Sequence, residues 1–261
     1  MKKGKKLIKK LTRKIKKLNI RQWISLAIIL LIFIILIKGV LFIKEYSKIQ
    51  DPPKDKIPYP VRGVDISHYQ GDVSWDVLAD QNLSFAFIKA TEGSSHIDKK
   101  FEYNWKEAHK TDLKVGAYHF MSFETSGKTQ AKNFIKHVPK KRSSLPPVVD
   151  VELYGEFINK HPSQETVNNI LEPLLKRLES KYDKKPIIYT STAVYKLYIQ
   201  GKYDNDIWIA DLSMPKTLPD GKQWKFLQYS FNGKLKGYKG YLPHLDLNVF
   251  YGSKWDFATE Y

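Results

Sequence analysis

From Val61 onward, short apolar runs alternate with longer polar or helix-patterned stretches. Eight runs rich in β-branched and aromatic residues read as strands: 62–67, 84–90, 114–121, 147–152, 186–190, 206–210, 225–229 and 245–250. Helix-like stretches over 100–111, 125–137 and 163–181 lie between the early runs, so crossover connections and a parallel sheet are expected. Later gaps shorten, and 214–222 and 232–243 carry glycine and proline as loops do. Five βα units followed by three poorly covered strands predict an α/β fold, a lopsided barrel forming one domain over 61–261.

A different pattern precedes it. Residues 23–43 are apolar apart from Lys38, Gly39 and a few small positions, long enough for one transmembrane helix if the Lys38 stem snorkels. A cleaved secretory signal is the alternative, but no small-x-small site follows Val40, Leu41, Phe42 and Ile43. Residues 1–22 are then a basic cytoplasmic tail, 23–43 an uncleaved signal-anchor, and 44–60 a stiff spacer carrying Pro52, Pro53, Pro58 and Pro60. Met1 to Arg21 holds eleven Lys or Arg and no acid, so the net charge of +17 falls to +6 for the remainder. That asymmetry predicts a single-pass protein with its amino terminus inside and its body outside the cell membrane. A basic run abutting an apolar span is a topology signal, so nucleic acid is not an expected partner. With no cysteine, a disulfide framework, a thiol nucleophile and a thiolate metal site are excluded.

The chemistry concentrates where strands end. Asp150 and Glu152 close the run 145–149 and share one strand face, their Cα atoms about 6.5–7 Å apart. Asp65 closes 61–64, and the alternation Leu245-Asp246-Leu247-Asn248 puts Asp246 and Asn248 on one face. Paired carboxylates suit glycoside hydrolysis, which needs an acid for the leaving oxygen and an anion beside an oxocarbenium-like centre. Helix caps and lysine pairs are the ordinary alternatives for each acid taken alone. Clustered like charges would hold a proton on one of these acids while the others stay ionised. No Gly-x-Ser-x-Gly elbow is present. His68 and His119 have no metal-binding spacing around them, so neither a metal nor a cofactor is expected. Tyr69, Tyr118, Tyr189, Trp208 and Tyr229 fall at or just beyond strand ends, where they can stack on sugars or pack in the core. Lys89 and Gln228 are polar at similar places, as groove residues or as partners of local backbone groups.

Five ordered motifs carry a resemblance: Gly63-Val64-Asp65-Ile66-Ser67-His68-Tyr69-Gln70-Gly71, Phe85 to Gly93, Gly116-Ala117-Tyr118-His119-Phe120, Pro147 to Glu152, and Asp246-Leu247-Asn248. Together they resemble the N-acetylmuramidases of glycoside hydrolase family 25. The resemblance covers 61–261 and leaves out the anchor and spacer. It implies a flattened TIM-like (β/α)5(β)3 barrel that cleaves the β-1,4 bond between N-acetylmuramic acid and N-acetylglucosamine in bacterial peptidoglycan. By position, Glu152 matches the family's proton donor, and Asp150 its partner, which orients or stabilises the substrate acetamido group. Asp65 and Asp246 match the remaining acids of the groove, so that with Glu152 as the acid, Asp150, Asp65 and Asp246 are expected to stay ionised and hold the proton on it. Tyr118, Tyr69, Lys89, Tyr189, Trp208 and Gln228 are the expected substrate-binding residues, with peptidoglycan glycan strands as the partner. Tyr69 stands where many members carry Trp. The chitinase-type pattern, which also ends in Asp-x-Glu, would need acids at Leu145 and Val148. A catalytically silent glycan-binding or scaffolding protein on the same barrel is the reading from a different class.

Overall fold

The computed structural model describes residues 57–242 and 244–261 and, nearer the amino terminus, residues 19–20, 23, 27–29, 31–34 and 37–38. The chain divides into two compact units, Met1–Gln50 and Asp51–Tyr261. In the first, the described residues from Ile20 to Lys38 are helical. Among the described residues no helix is long and apolar enough to cross a membrane. Much of the predicted span 23–43 lies outside them, as do nearly all of the tail 1–22 and most of the spacer 44–60.

In the second unit eight strands close into a barrel: β1 (Arg62–Ile66), β2 (Phe85–Glu92), β3 (Lys114–Phe120), β4 (Val148–Val151), β5 (Ile187–Ser191), β6 (Ile207–Ala210), β7 (Phe226–Gly233) and β8 (Leu245–Phe250). Neighbours from β1 through β7 pair parallel, whereas β8 runs antiparallel to both β7 and β1 and closes the ring. Every predicted strand is present. The helices α1 (Trp75–Ala79), α2 (Phe101–Ala108), α3 (Gly127–His137), α4 (Gln164–Tyr182) and α5 (Thr192–Val194, continuing as a π-helical turn to Ile199) follow β1 to β5. A further helix, α6 (Lys254–Glu260), follows β8.

The sequence pattern missed α1, α5 and α6. It also stopped β7 too early: residues 230–233 pair with β8 across register shifts, so part of the predicted loop 232–243 is strand. Tyr238–Lys239 pairs with Asp72–Val73 as a small ribbon.

Period-two alternation sorts the side chains into two layers. Val149 and Val151 face outward, with Ile188, Ile209 and Leu227, into the core shared with Phe134, Leu171, Leu174 and Leu178 of the helices. Val148 faces inward, with Phe85, Phe87, Ile187, Trp208, Phe226 and Phe250. Aromatic rings fill the barrel: Phe87 stacks on Trp208 at 4.5 Å and Phe85 meets Phe226 edge-on at 5.0 Å. Room for them comes from two glycines. A Cβ on Gly63 would stand 2.3 Å from the Phe85 ring, and one on Gly116 would stand 2.6 Å from Phe87. Inward positions are therefore small or aromatic low in the barrel and polar at its mouth, so the chemistry collects at one end.

Candidate active site

Asp65 ends β1, and Asp150 and Glu152 leave β4, all at the carboxyl end of the parallel strands. Asp246 reaches the same place by the opposite route. It lies at the amino end of β8, and because that strand runs antiparallel, Asp246 pairs in register with Asp65. The four acids line one cleft of about 200 Å³ together with Tyr69, Lys89, Tyr118 and Phe120. Beneath it an inner chamber of about 110 Å³ is bounded by the same acids, Tyr118, Tyr189, Trp208 and Gln228.

Two hydrogen-bond relays converge on Asp65. Trp208 Nε1 donates to Asn248 Oδ1 at 2.8 Å, and Asn248 Nδ2 donates to Asp65 Oδ2 at 2.8 Å. The Tyr189 hydroxyl donates to Gln228 Oε1 at 2.6 Å, and Gln228 Nε2 donates to the same Asp65 oxygen at 2.9 Å. Two N–H donors on one carboxyl oxygen favour its ionised form. Burial raises Asp65 to about 6, and the bonds from Asn248, Gln228 and Asp246 restrain it from going higher. Asp246, buried and facing the Asp65 charge, is pushed up to about 9 and holds the proton that the pair shares. At neutral pH the pair carries one negative charge.

Asp150 and Glu152 form a second pair. Burial, then the Glu152 charge, raises Asp150 well above the usual carboxylate range. Burial and the Asp65 charge raise Glu152, while the Lys89 ammonium pulls both down. Lys89 is itself tied to Glu92 at 2.8 Å and lies over the Phe120 ring. Asp150 is 5% exposed, and its Oδ1 has no hydrogen-bond partner. The expectation that Asp150, Asp65 and Asp246 all stay ionised around Glu152 is therefore corrected. Low-dielectric burial forbids four adjacent charges, and Asp65 is the acid its neighbours equip to stay ionised.

Of the residues expected to touch sugar, Tyr69 is 48% exposed on the cleft rim, packed on the His68 ring at 4.1 Å. Tyr118 and Lys89 line the cleft. Trp208 and Gln228 are only 2% and 1% exposed, and Tyr189 is buried as well. These three line the inner chamber and form the relays: Phe87 stacks on the indole, Tyr189 meets it edge-on, and the polar tips bond to Asn248, Gln228 and Asp65. Sequence reasoning did not assign Asn248 a role, although its alternation with Asp246 placed it on the site's face. His68 bonds Asp98 at 2.6 Å, and His119 sits between Thr91 and Gln130 at 2.7 and 3.0 Å.

The sequence model for Glycosyl hydrolases family 25 matches residues 64–238. The chain belongs to glycosyl hydrolase family 25. Among solved structures, this family 25 glycosidase is similar to a family 25 glycosyl hydrolase from Bacillus anthracis, at 46% identity and a TM-score of 0.75. That match covers 80% of this chain and 96% of the other. It is also similar to a bacterial lysozyme from Streptomyces coelicolor, at 28% identity and a TM-score of 0.68, covering 76% of this chain and 95% of that one. Lysozyme M1 of Streptomyces globisporus is 31% identical over 206 residues, 74% of this chain and 68% of that protein. Asp246 and Asn248 lie on β8, beyond the matched segment 64–238, and join the site where β8 pairs with β1.

Proposed function

We propose that this glycosidase is a membrane-tethered muramidase, cleaving peptidoglycan between N-acetylmuramic acid and N-acetylglucosamine with Glu152 as general acid. One observation carries the reading. Asp150 and Glu152 leave β4 on one inner face at the floor of an acid-lined cleft, with Asp150 Oδ1 buried and unpartnered. An acetamido N–H bonding to that oxygen would satisfy it and favour its ionised form, leaving the pair's proton on the more open Glu152. Glu152 then protonates the leaving oxygen, while the Asp150 and Asp65 charges stabilise the oxocarbenium-like centre. Similarity to Lysozyme M1 supports peptidoglycan as the substrate. The apolar run 23–43 behind a basic tail supports a single-pass anchor, with the amino terminus in the cytoplasm and the barrel outside.

The test is digestion of purified peptidoglycan by the parent and by Glu152→Gln, with mass spectrometry of the new reducing ends. Muramic-acid ends from the parent alone are expected. Glucosamine ends would mean another glycosidase, and wall binding without cleavage by a folded parent would mean a glycan-binding protein. Fractionation of the full chain tests the anchor: it should stay in the carbonate-washed membrane pellet.

A further inference from the structure

The end of the barrel opposite the cleft carries features that glycan cleavage does not use. Helix α6 lies there, with Phe257 and Tyr261 packed against Phe226 and Phe250 at the base of the strands. Trp255 precedes Phe257 by two residues, about 200° around the helix, so it projects away from the barrel. It is 73% exposed, and Tyr251 beside it is exposed as well. The other four tryptophans of the barrel unit, Trp75, Trp105, Trp208 and Trp224, are buried.

The loops at this end are basic. Residues 138–147 contain Lys140, Lys141 and Arg142 and no acid, and the turn after α4 adds Lys184 and Lys185. Of the acids at this end, Asp80 and Asp112 are exposed in the loops before β2 and β3, and the others are mostly occupied. Asp183 pairs with Lys140, Asp204 with Lys185, Glu260 with Lys225, and Asp256 caps α6 through Ser253. Asp206 lies within the field of Lys225 and Lys185. Lys141, Arg142 and Lys254 are exposed without an acidic partner among the described residues. The cleft itself is lined by Asp65, Asp150, Glu152 and Asp246, facing Lys89. The chain also enters the barrel at the basic end: Phe250 donates to the Val61 carbonyl, and Tyr59 packs on Trp224 and Tyr251.

We infer that this basic, Trp255-bearing end of the barrel docks on an anionic lipid surface, so that the cleft faces away from the bilayer. Cations gain from the negative surface potential of such a membrane, and an exposed indole suits the headgroup region. Trp255 and the basic loops share this one end, so their contact with the surface sets the orientation. The inference rests on the anchor reading for its setting, but it concerns the barrel alone. Residues 51–261 are one compact unit, and the Bacillus anthracis chain, 96% covered by the match, forms the barrel with little else.

The experiment uses fragment 51–261 with vesicles of phosphatidylglycerol mixed into phosphatidylcholine, and with phosphatidylcholine alone. Binding should be about tenfold or more tighter to the anionic vesicles and should weaken with salt. Tryptophan emission should shift to the blue and be quenched by brominated lipid, a signal specific to Trp255 because the other four are buried. Trp255→Ala should abolish that shift, and Lys141→Glu with Arg142→Glu should weaken binding by roughly tenfold or more. All variants should digest peptidoglycan in solution at the parental rate, which shows them to be folded. Failure to sediment with anionic vesicles, or binding that none of these substitutions alters, overturns the inference. So does equal binding to a soluble polyglycerol phosphate with no emission shift, which would assign the face to a wall polymer. A full chain found outside the membrane pellet would instead refute the anchor, leaving the vesicle result standing.

Discussion

Trp208 Nε1 lies 2.8 Å from Asn248 Oδ1. An indole nitrogen only donates, so the contact fixes which end of the amide faces Asp65. The Tyr189 hydroxyl, which can donate or accept, donates to Gln228 Oε1 and leaves the amide N–H for Asp65. Two large aromatic residues at strand ends thus act on the reaction at one remove, by aiming amide donors at a carboxylate.

Trp208→Phe keeps a ring against Phe87 but frees the Asn248 amide to turn. Losing a donor to the ionised form raises the Asp65 carboxyl above its value of about 6. Activity that needs an ionised Asp65 should then fail at a higher pH. The acidic limb of the kcat/KM profile is expected to move up by roughly half a unit to one unit, since one hydrogen bond is worth ~1 kcal/mol. An unmoved acidic limb with full activity would contradict the relay.

Lys89→Met should act on the other limb. The ammonium lowers both Asp150 and Glu152, so removing it raises them and keeps the acid protonated to higher pH. The basic limb should shift upward by roughly half a unit or more, while the maximal rate falls as Glu92 loses its partner. A downward shift would mean that Lys89 serves the cleft in some other way.

Asp246 trades stability for its place in the site. Its carboxyl rises from 3.8 to about 9 on folding, so the folded chain binds a proton that the unfolded chain has released. Its contribution is most favourable below pH 3.8 and is lost as the pH rises towards 9. Asp246→Asn should therefore raise thermal stability near pH 8 by ~1–2 kcal/mol while lowering activity. The difference between melting curves of parent and variant should shrink steadily from pH 9 to pH 5, towards convergence below pH 3.8.

His119 works in the opposite direction. Fully buried between Thr91 and Gln130, it falls from 6.5 to about 4, so it stays neutral in the fold. The stability it contributes is complete above pH 6.5 and is lost as the pH falls through about 4, on the order of 3 kcal/mol in all. His119→Gln should flatten the acid side of the stability curve, read by denaturant melts between pH 4 and pH 7.

The strands were legible because inward and outward positions alternate along each of them, and their limits were read to within about two residues everywhere except at β7, whose extension comes from pairing with β8. Helix α1 has five residues and α6 has seven, too few to show a period, and α6 is held by Phe257 and Tyr261 beneath the barrel. Period two also placed Asp150, Glu152, Asp65 and Asp246 on the right face. It could not give depth: Trp208 and Gln228 lie almost wholly buried around the inner chamber, below the rim where Tyr69 stands. Nor could it show that Asp65 and Asp246 face each other in register, and that contact decides where the proton resides.

Asp65 and Asn248 are 183 residues apart in the chain. A ribosome delivers β1 first among the barrel strands and β8 last, so Asp65 waits for its donor and its proton-sharing neighbour until translation of the barrel is nearly complete. A nascent or truncated chain ending before β8 carries Glu152 and Asp150 without the electrostatic frame around them. Strand order thus acts as a timer, withholding a wall-cutting activity until the finished barrel closes.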